Sequence, residues 1–225
     1  MSFTLTLISV FFLCLLIWSI IDFRKWKKLG KGGVPYNIFG WLIVTAIRPF
    51  KRNPFSSKYF EGDIGSNCDK ADIDSLPHRN GERPVIAKHP VPHRQLNQIR
   101  NDTIKESLQK TFDQMVESHN KDLNYDLSQF EKRNKAIWLR NPESGNSCPC
   151  ANGEIAHIHQ IDGSMHMILS PSDAKKVIDS GWGELHPLAG KFIPVKTYVL
   201  IYSPRDKEDL KVIESILAAS VVHAR

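Results

Sequence analysis

Three histidines in one short stretch of the sequence have the types and the spacing that could do chemistry. His157 and His159 stand two residues apart in an alternating apolar run, and His166 follows Asp162-Gly163, a dipeptide typical of a tight hairpin turn. Pairing the two strands across a two-residue turn places His159 opposite His166. Residues two apart on a strand point the same way, and so do residues paired across strands, so the three imidazoles are predicted to share one face.

Imidazoles that converge from two strands have two kinds of chemistry open to them. The nitrogens of His157, His159 and His166 could hold a divalent metal, or they could act on a bound substrate as acids and bases without a metal. The alternative is that the histidines act separately, two exposed to solvent and one satisfied in the core. Clustered titratable groups are typical of functional sites, so we interpret this face as a site and leave both kinds of chemistry open.

The segment GWGELHPLAG, residues 181–190, supplies further candidates for the same site. Its glycine, proline, tryptophan and histidine are poor core material, so the segment could close over a pocket. We therefore add His186 to the candidate catalytic residues, and Trp182 and Glu154 to the candidate substrate-binding residues. The alternative is a structural turn in which Trp182 packs on the sheet. Three other histidines lie in a region without periodicity and receive no role: His78, His89 and His93.

The elements that must position these residues indicate an α+β fold. A small antiparallel sheet carries the histidine hairpin, and helices pack on one of its faces. The predicted strands cover residues 136–140, 154–160, 164–170 and 198–203, and a helical period covers residues 96–118.

Two of the strands end in the sequence Ser-Pro-x-Asp, which begins at Ser170 and again at Ser203. Serine is a preferred N-cap, proline is favoured at the first helical position, and an acid suits the first turn. A helix is therefore predicted to start at each of these serines, and the second should bury an apolar stripe against the sheet.

The N-terminus reads as a membrane anchor. Residues 3–21 contain no charged side chain and are long enough to cross a hydrocarbon core of roughly 30 Å. Five basic residues follow between Arg24 and Lys31, so the positive-inside rule predicts a single-pass protein whose C-terminal bulk is cytosolic, and we expect the endoplasmic reticulum membrane. A cleaved signal peptide is the alternative. It would need basic residues before the apolar run and a cleavage site of small residues after it, whereas no Lys or Arg precedes this run and Trp18, Ile20 and Ile21 end it.

Charge and composition divide the chain into regions. Residues 1–52 hold eight Lys and Arg against one acid, whereas the remainder holds 22 basic and 23 acidic residues, although the whole chain carries +6. The excess positive charge lies beside the predicted anchor, where it favours lipid headgroups rather than nucleic acid. The predicted organisation is an anchor at 1–22, a basic juxtamembrane or interfacial segment at 23–52, an irregular arm at 53–94 and an α+β domain at 95–225.

The cysteines do not indicate a metal site. The chain has four, and Cys148 and Cys150 stand too close together for the usual metal-binding hairpin. In a cytosolic domain we expect the thiols to be reduced. Asn101 begins a glycosylation sequon, which matters only if the domain lies on the other side of the membrane.

Longer runs of the sequence resemble the fungal luciferase family. The C-terminal half carries EIAHIHQIDGSMHMIL, VIDSGWGELHPLAG and YVLIYSPRDKEDLKVIESILAAS. Upstream, VPYNIFGWLIV, LPHRNGERP with the following HRQ, and FEKRNKAIWL are similar to family segments in the same order, after a single membrane helix. Luminous members have a longer segment with a further histidine between His159 and His166, where this chain has its short Asp162-Gly163 turn.

The resemblance implies an enzyme, an oxygenase that adds O₂ to 3-hydroxyhispidin or to a related α-pyrone or enol. In the family the resulting endoperoxide loses CO₂ and leaves excited caffeylpyruvate, which emits light. His157, His159, His166 and His186 would deprotonate the enol and stabilise the oxyanion, directly or through a metal. O₂ is then the co-substrate, and the further cofactor is either none or a divalent metal.

Two functions of other classes remain compatible with the same residues. One is a non-luminous, non-catalytic binding domain that is tethered to the membrane and has kept the fold. The other is a metal-dependent hydrolase that uses the histidine face.

Overall fold

The computed structural model describes residues 3–99, 102–141 and 153–225. Within those ranges the chain forms five α-helices and six β-strands. The helices are α1 (Phe3–Lys28), α2 (Ile38–Ile47), α3 (Asp102–Ser118), α4 (Pro171–Asp179) and α5 (Lys207–Ala224). The strands are β1 (Leu123–Leu127), β2 (Lys135–Leu139), β3 (Glu154–Ile158), β4 (Met165–Ile168), β5 (Gly183–Leu185) and β6 (Tyr198–Ile201).

The six strands form one sheet in the order β1-β2-β3-β4-β6-β5, and all neighbours are antiparallel. Helix α5 packs on β3 and β4, while α3 packs on β1 and on α5. The prediction of an α+β fold with a histidine-bearing hairpin is confirmed, and that hairpin, β3–β4, occupies the centre of the sheet.

The core lies between α5 and the central hairpin. Ile213, Ile216 and Leu217 recur on one side of α5 at helical spacing and are fully buried. Met165 and Met167 alternate on β4 and belong to the same cluster. Each such side chain contributes about 1.5–3 kcal/mol through burial, so this contact fixes the hairpin against the helix layer.

The register of the hairpin differs from the predicted one by two residues. His157, not His159, pairs with His166, and Ile158 pairs with Met165. The two-residue turn is wrong as well, because residues 160–163 form a longer loop in which the Gly163 N–H donates to the His159 carbonyl over 2.8 Å. Side chains repeat with period two along a strand, so a shift of two residues leaves every histidine on its predicted face.

Two helix starts also differ from the predictions. Helix α3 begins at Asp102, and the apolar Leu96 and Ile99, which entered the predicted period, precede it and are exposed. Ser170 caps α4 as predicted, accepting from the Asp173 N–H. The cap of α5, however, is Asp206 instead of Ser203, because the chain does not turn into the helix until three residues after the strand-end Ser-Pro. Strand β1 was not predicted.

Helix α1 is the one helix in the described residues that is long and apolar enough to cross a membrane. Its 26 residues span roughly 39 Å, and the apolar side chains of its first five turns are exposed. It runs six residues beyond the predicted anchor, into the basic cluster.

Helix α2 and the arm hold the end of α1. The Asp22 carboxylate accepts from Trp41 Nε1 over 2.8 Å, and it also contacts Arg48 and His89. Trp26 Nε1 donates to the Val91 carbonyl over 2.9 Å. The opposite face of α2 is exposed and apolar, and it carries Ile38, Phe39, Leu42 and Ile43.

Residues 53–94 are irregular apart from short 3₁₀ turns at Ser57–Tyr59 and Glu61–Asp63. Cys68 within it is disulfide-bonded, so the expectation of a reduced thiol is wrong at this position. Cys148 and Cys150 lie outside the described residues.

Gly183 in β5 provides a test of the packing around the site. A Cβ at this position would lie 2.5 Å from the Leu200 carbonyl oxygen and 3.2 Å from a Val177 methyl carbon. Because the backbone of β6 cannot withdraw, we expect Gly183→Ala to lower the free energy of unfolding by about 1–3 kcal/mol. Urea unfolding of the full chain in detergent micelles measures it.

The matched control is Gly62→Ala in the arm, where a Cβ would meet nothing within 4 Å. Its effect should stay within about 0.5 kcal/mol. Equal effects of the two substitutions would contradict the packing described for β5.

Candidate active site

The structure brings the three hairpin histidines together on one face of the sheet. The ring centroids of His157 and His159 are 5.3 Å apart, and those of His159 and His166 are 4.7 Å apart. None of the three side chains is more than 3% exposed. The His159 Nε2 and His166 Nδ1 atoms are 3.0 Å apart, so the rings meet nitrogen to nitrogen.

Two further imidazoles complete the cluster. His186, a predicted member, follows β5, and its ring centroid lies 5.5 Å from that of His166. His93, to which the sequence analysis gave no role, comes from the arm, with its Nδ1 atom 3.3 Å from His166 Nε2. No periodicity marks the arm, and the signal that could have found His93 is its place in the HRQ of the resemblance.

Buried carboxylates hold the outer nitrogens of these rings. Glu154 Oε1 lies 2.8 Å from His157 Nδ1, and Glu184 Oε1 lies 3.1 Å from His93 Nε2. Asp162 acts through a hydroxyl: Ser164 Oγ donates to Asp162 Oδ1 over 2.9 Å and lies 2.8 Å from His159 Nδ1. Asp162 is thus more than the turn residue that a hairpin needs.

A fourth buried acid approaches the centre of the cluster. Glu131 Oε1 lies 3.6 Å from His159 Nε2, and its other oxygen accepts from Arg94 over 2.9 Å. Arg94 directly follows His93 on the arm, so the same segment supplies an imidazole and the cation that pairs with this acid. Neither Glu131 nor Arg94 stands in a periodic pattern, and the sequence analysis missed both.

Burial determines the charge state of the rings. It holds the pKa values of His159, His166 and His186 well below their usual range, and the neighbouring imidazoles and Arg94 add to this effect. Burial also raises the pKa of Asp162 and that of Tyr198, whose ring stacks on His166 at 4.4 Å. The rings of His159, His166 and His186 are therefore neutral near pH 7, and each has one nitrogen with a free electron pair.

The two predicted substrate-binding residues take different positions. Glu154 lies at the cluster, but its carboxylate is engaged by His157, by the Ser128 hydroxyl and by the Gln129 N–H. Trp182 is buried in the core, and its indole donates to the Pro77 carbonyl over 2.7 Å. The predicted flap around it is instead β5, an edge strand of the sheet.

Two surface cavities border the end of β3 and the face of α3. The first, of about 320 Å³, is lined by His159, Gly163, Lys105 and their neighbours. The second, of about 240 Å³, shares Gln109, Ile158 and Gln160 with it. The first has the size of a small-molecule pocket and is the one that reaches a histidine of the cluster.

The chain thus forms an α+β domain in which one face of the sheet carries a buried cluster of titratable groups, an arrangement typical of functional sites. The Luciferase domain family matches residues 152–220. Over 214 residues, 89% of this chain and 79% of each relative, identity is 32% with the luciferase of Armillaria ostoyae, 31% with that of Armillaria mellea and 29% with that of Neonothopanus nambi. The chain belongs to the fungal luciferase family. No solved structure matches it.

Glu154→Gln tests whether the carboxylates hold the cluster. The amide has one acceptor oxygen where the carboxylate has two, so a buried N–H of His157 or Gln129 would lose its acceptor. We expect the free energy of unfolding to fall by about 1–3 kcal/mol, measured by urea denaturation.

Glu117→Gln is the matched control, since Glu117 is exposed on α3. It should change stability by less than about 0.5 kcal/mol. A Glu154→Gln protein as stable as wild type would show that Glu154 does not hold His157.

Proposed function

We propose that this protein is a luciferase-like oxygenase, which adds O₂ to a 3-hydroxyhispidin-like α-pyrone or a related enol. The observation that carries the proposal is the buried imidazole cluster on β3 and β4, in a chain that belongs to the luciferase family. Neutral imidazoles are the groups that an enol needs, because they accept its proton and then hold the anion.

The proposed reaction begins with loss of the enol proton to the cluster, which leaves an enolate. O₂ forms two new C–O bonds to the pyrone ring and gives an endoperoxide. Its O–O bond breaks as CO₂ leaves, and the proton returns to the ring-opened keto acid product. All atoms of the pyrone and of O₂ are then found in CO₂ and the product, so no further oxidant or reductant is required.

Enclosure supports this chemistry in two ways. The five histidines of the cluster are at most 3% exposed, so water would have little access to a peroxide held there. Interactions with a developing oxyanion are also stronger away from water. The roles of His157, His159, His166 and His186 are part of the proposal, and His93 joins them because it contacts His166 directly.

We place the substrate in the cavity of about 320 Å³ that is lined by His159 and Gly163. Its wall on the α3 side carries Lys105 and Gln109, polar groups that suit the hydroxyls of a phenolic pyrone. Because the imidazole of His159 is fully buried, the pyrone must displace part of the 160–163 loop to reach it.

The proposal includes a membrane-anchored protein, with α1 in the bilayer and its apolar substrate taken from the lipid phase. The basic residues after α1 favour a cytosolic domain, and we propose the endoplasmic reticulum. The disulfide of Cys68 favours the opposite side, because disulfides persist in oxidising compartments. The two features make opposite predictions that one assay separates.

Activity is tested with the full chain in detergent micelles, 3-hydroxyhispidin and dissolved O₂. We expect oxygen uptake with an equal amount of CO₂ released, and light recorded in the same cell. His159→Ala should lower the rate about 100-fold or more, since positioned acid–base groups contribute on that order.

His78→Ala is the matched control, because this imidazole is exposed and outside the cluster. Its rate should equal that of wild type. If folded wild-type protein takes up no oxygen, the oxygenase function is wrong and the binding-domain and hydrolase functions remain. If folded His159→Ala protein is active, the proposed site is wrong.

Orientation is tested by translation into microsomes. A cytosolic domain leaves Asn101 without glycan, whereas a sequon-bearing tag attached before Met1 should be glycosylated. A glycan that Asn101→Gln removes would place the domain in the lumen and overturn the cytosolic orientation.

A further inference from the structure

The hydrogen bonds around the cluster determine which nitrogen of each ring carries its proton. A carboxylate only accepts, so His157 Nδ1, 2.8 Å from Glu154 Oε1, carries the ring hydrogen. His157 Nε2 therefore has a free electron pair. This atom is buried and has no hydrogen-bond partner among the described residues.

The same reasoning applies to His159. The Ser164 hydroxyl donates to Asp162, so it accepts from His159 Nδ1. The free electron pair of His159 is then on Nε2.

The hydrogen bond between His93 and His166 determines the tautomer of His166. His93 Nε2 donates to Glu184, so His93 Nδ1 accepts from His166 Nε2 at 3.3 Å. The free electron pair of His166 is then on Nδ1. This atom faces His159 Nε2 at 3.0 Å with no hydrogen between them.

The electron pairs of His159 Nε2 and His166 Nδ1 face each other, and the electron pair of His157 Nε2 has no donor. These electron pairs repel one another unless a cation lies between them. We infer that His157 Nε2, His159 Nε2 and His166 Nδ1 bind one divalent first-row transition metal. One ligand atom from each of the three rings lies within 4.8 Å of the others. Each outer nitrogen is held through a carboxylate, which is how protein metal sites orient their imidazoles.

Charge supports a cation at this position. Glu131, Glu154, Asp162 and Glu184 are each at most 5% exposed. Arg94 forms an ion pair with Glu131, but the bonds to the other three carboxylates come from neutral donors. Buried negative charge of this kind is costly unless positive charge lies nearby, and a divalent ion supplies it.

Glu131 lies beside the three ligands but is not one of the group whose atoms are all within reach of one ion. Its Oε1 atom is 3.6 Å from His159 Nε2, while its other oxygen accepts from Arg94. Three imidazoles suit iron, manganese, cobalt, nickel or zinc, and leave positions open for further ligands and a substrate.

A second trio, His93, His166 and His186, is close enough for a metal but lacks free electron pairs. His186 Nδ1 accepts from the Leu188 N–H over 3.1 Å, so the ring hydrogen is on Nε2, consistent with a backbone hydrogen bond to Pro90. His93 Nδ1 already accepts from His166. This trio is therefore not the metal site.

The metal content of the purified full chain in micelles tests the inference. After incubation with Fe²⁺, Mn²⁺ or Zn²⁺ and desalting, elemental analysis should find about one metal ion per chain. His157→Gln should retain at most about one-tenth of it, and Glu154→Gln should bind about 10–100-fold more weakly. His186→Gln, the matched control, should bind as wild type does.

X-ray absorption of the wild-type metal complex gives a second test that needs no substitution. We expect three imidazole nitrogens and at least one oxygen at about 2.0–2.2 Å. Fewer than two imidazoles, or no metal above background with any of the three ions, would overturn the inference in favour of a proton shared by His159 and His166. Metal loss in folded His186→Gln would overturn it in favour of the second trio.

This inference rests on the proposed function only for its role in catalysis, and the two can fail separately. Stoichiometric metal without oxygen uptake would refute the oxygenase and leave the metal site. Full oxygen uptake by metal-free protein would refute the metal as a participant and leave the oxygenase.

Discussion

Burial of carboxylates is the constraint on which the architecture of the site depends. A carboxylate removed from water costs several kcal/mol unless donors or cations surround it, and four carboxylates are buried around the imidazole cluster: Glu131, Glu154, Asp162 and Glu184. Three of these acids accept hydrogen bonds from different segments. Glu154 accepts from the Ser128 hydroxyl, Asp162 from the Gln95 N–H, and Glu184 from the Tyr202 hydroxyl. These hydrogen bonds connect the irregular arm and the loops to the sheet.

The same bonds make the cluster a single unit. His93 connects Glu184 to His166, and Arg94, the next residue, neutralises Glu131. A change in the arm is therefore transmitted to rings on the central hairpin, although the arm contributes no strand of the sheet. The boundary drawn at residue 94 between arm and domain stays a prediction, and the site uses residues from both sides of it.

Periodicity made part of this structure predictable from the sequence. The common face of His157, His159 and His166 followed from alternation, and it survived an error of two residues in the register because the period of a strand is two. The apolar stripe of α5 and the cap at Ser170 followed from equally local rules. The start of α3 could not be placed, because Leu96 and Ile99 continue the apolar spacing although the chain there is not helical.

The rest of the site depends on contacts between residues that are far apart in sequence. His93 meets His166 across 73 positions, and Glu131 meets Arg94 across 37. Such pairs leave no trace in local composition, so single-sequence reasoning found the rings on the hairpin and missed what surrounds them. The family resemblance contained His93 and Arg94 within one motif, but it gave them no chemistry.

The bond from Trp26 to Val91 has a mechanical consequence. Trp26 belongs to α1, and Val91 stands two residues before His93. Only a few covalent bonds and one hydrogen bond therefore separate α1 from the imidazole of His93. In the proposed membrane-anchored protein, tilt of α1 in lipids of different thickness would strain the segment that sets the orientation of His93, so the bilayer would affect the geometry of the site. A shortened chain without α1 would keep the sheet but lose the hydrogen bond from Trp26 to the Val91 carbonyl.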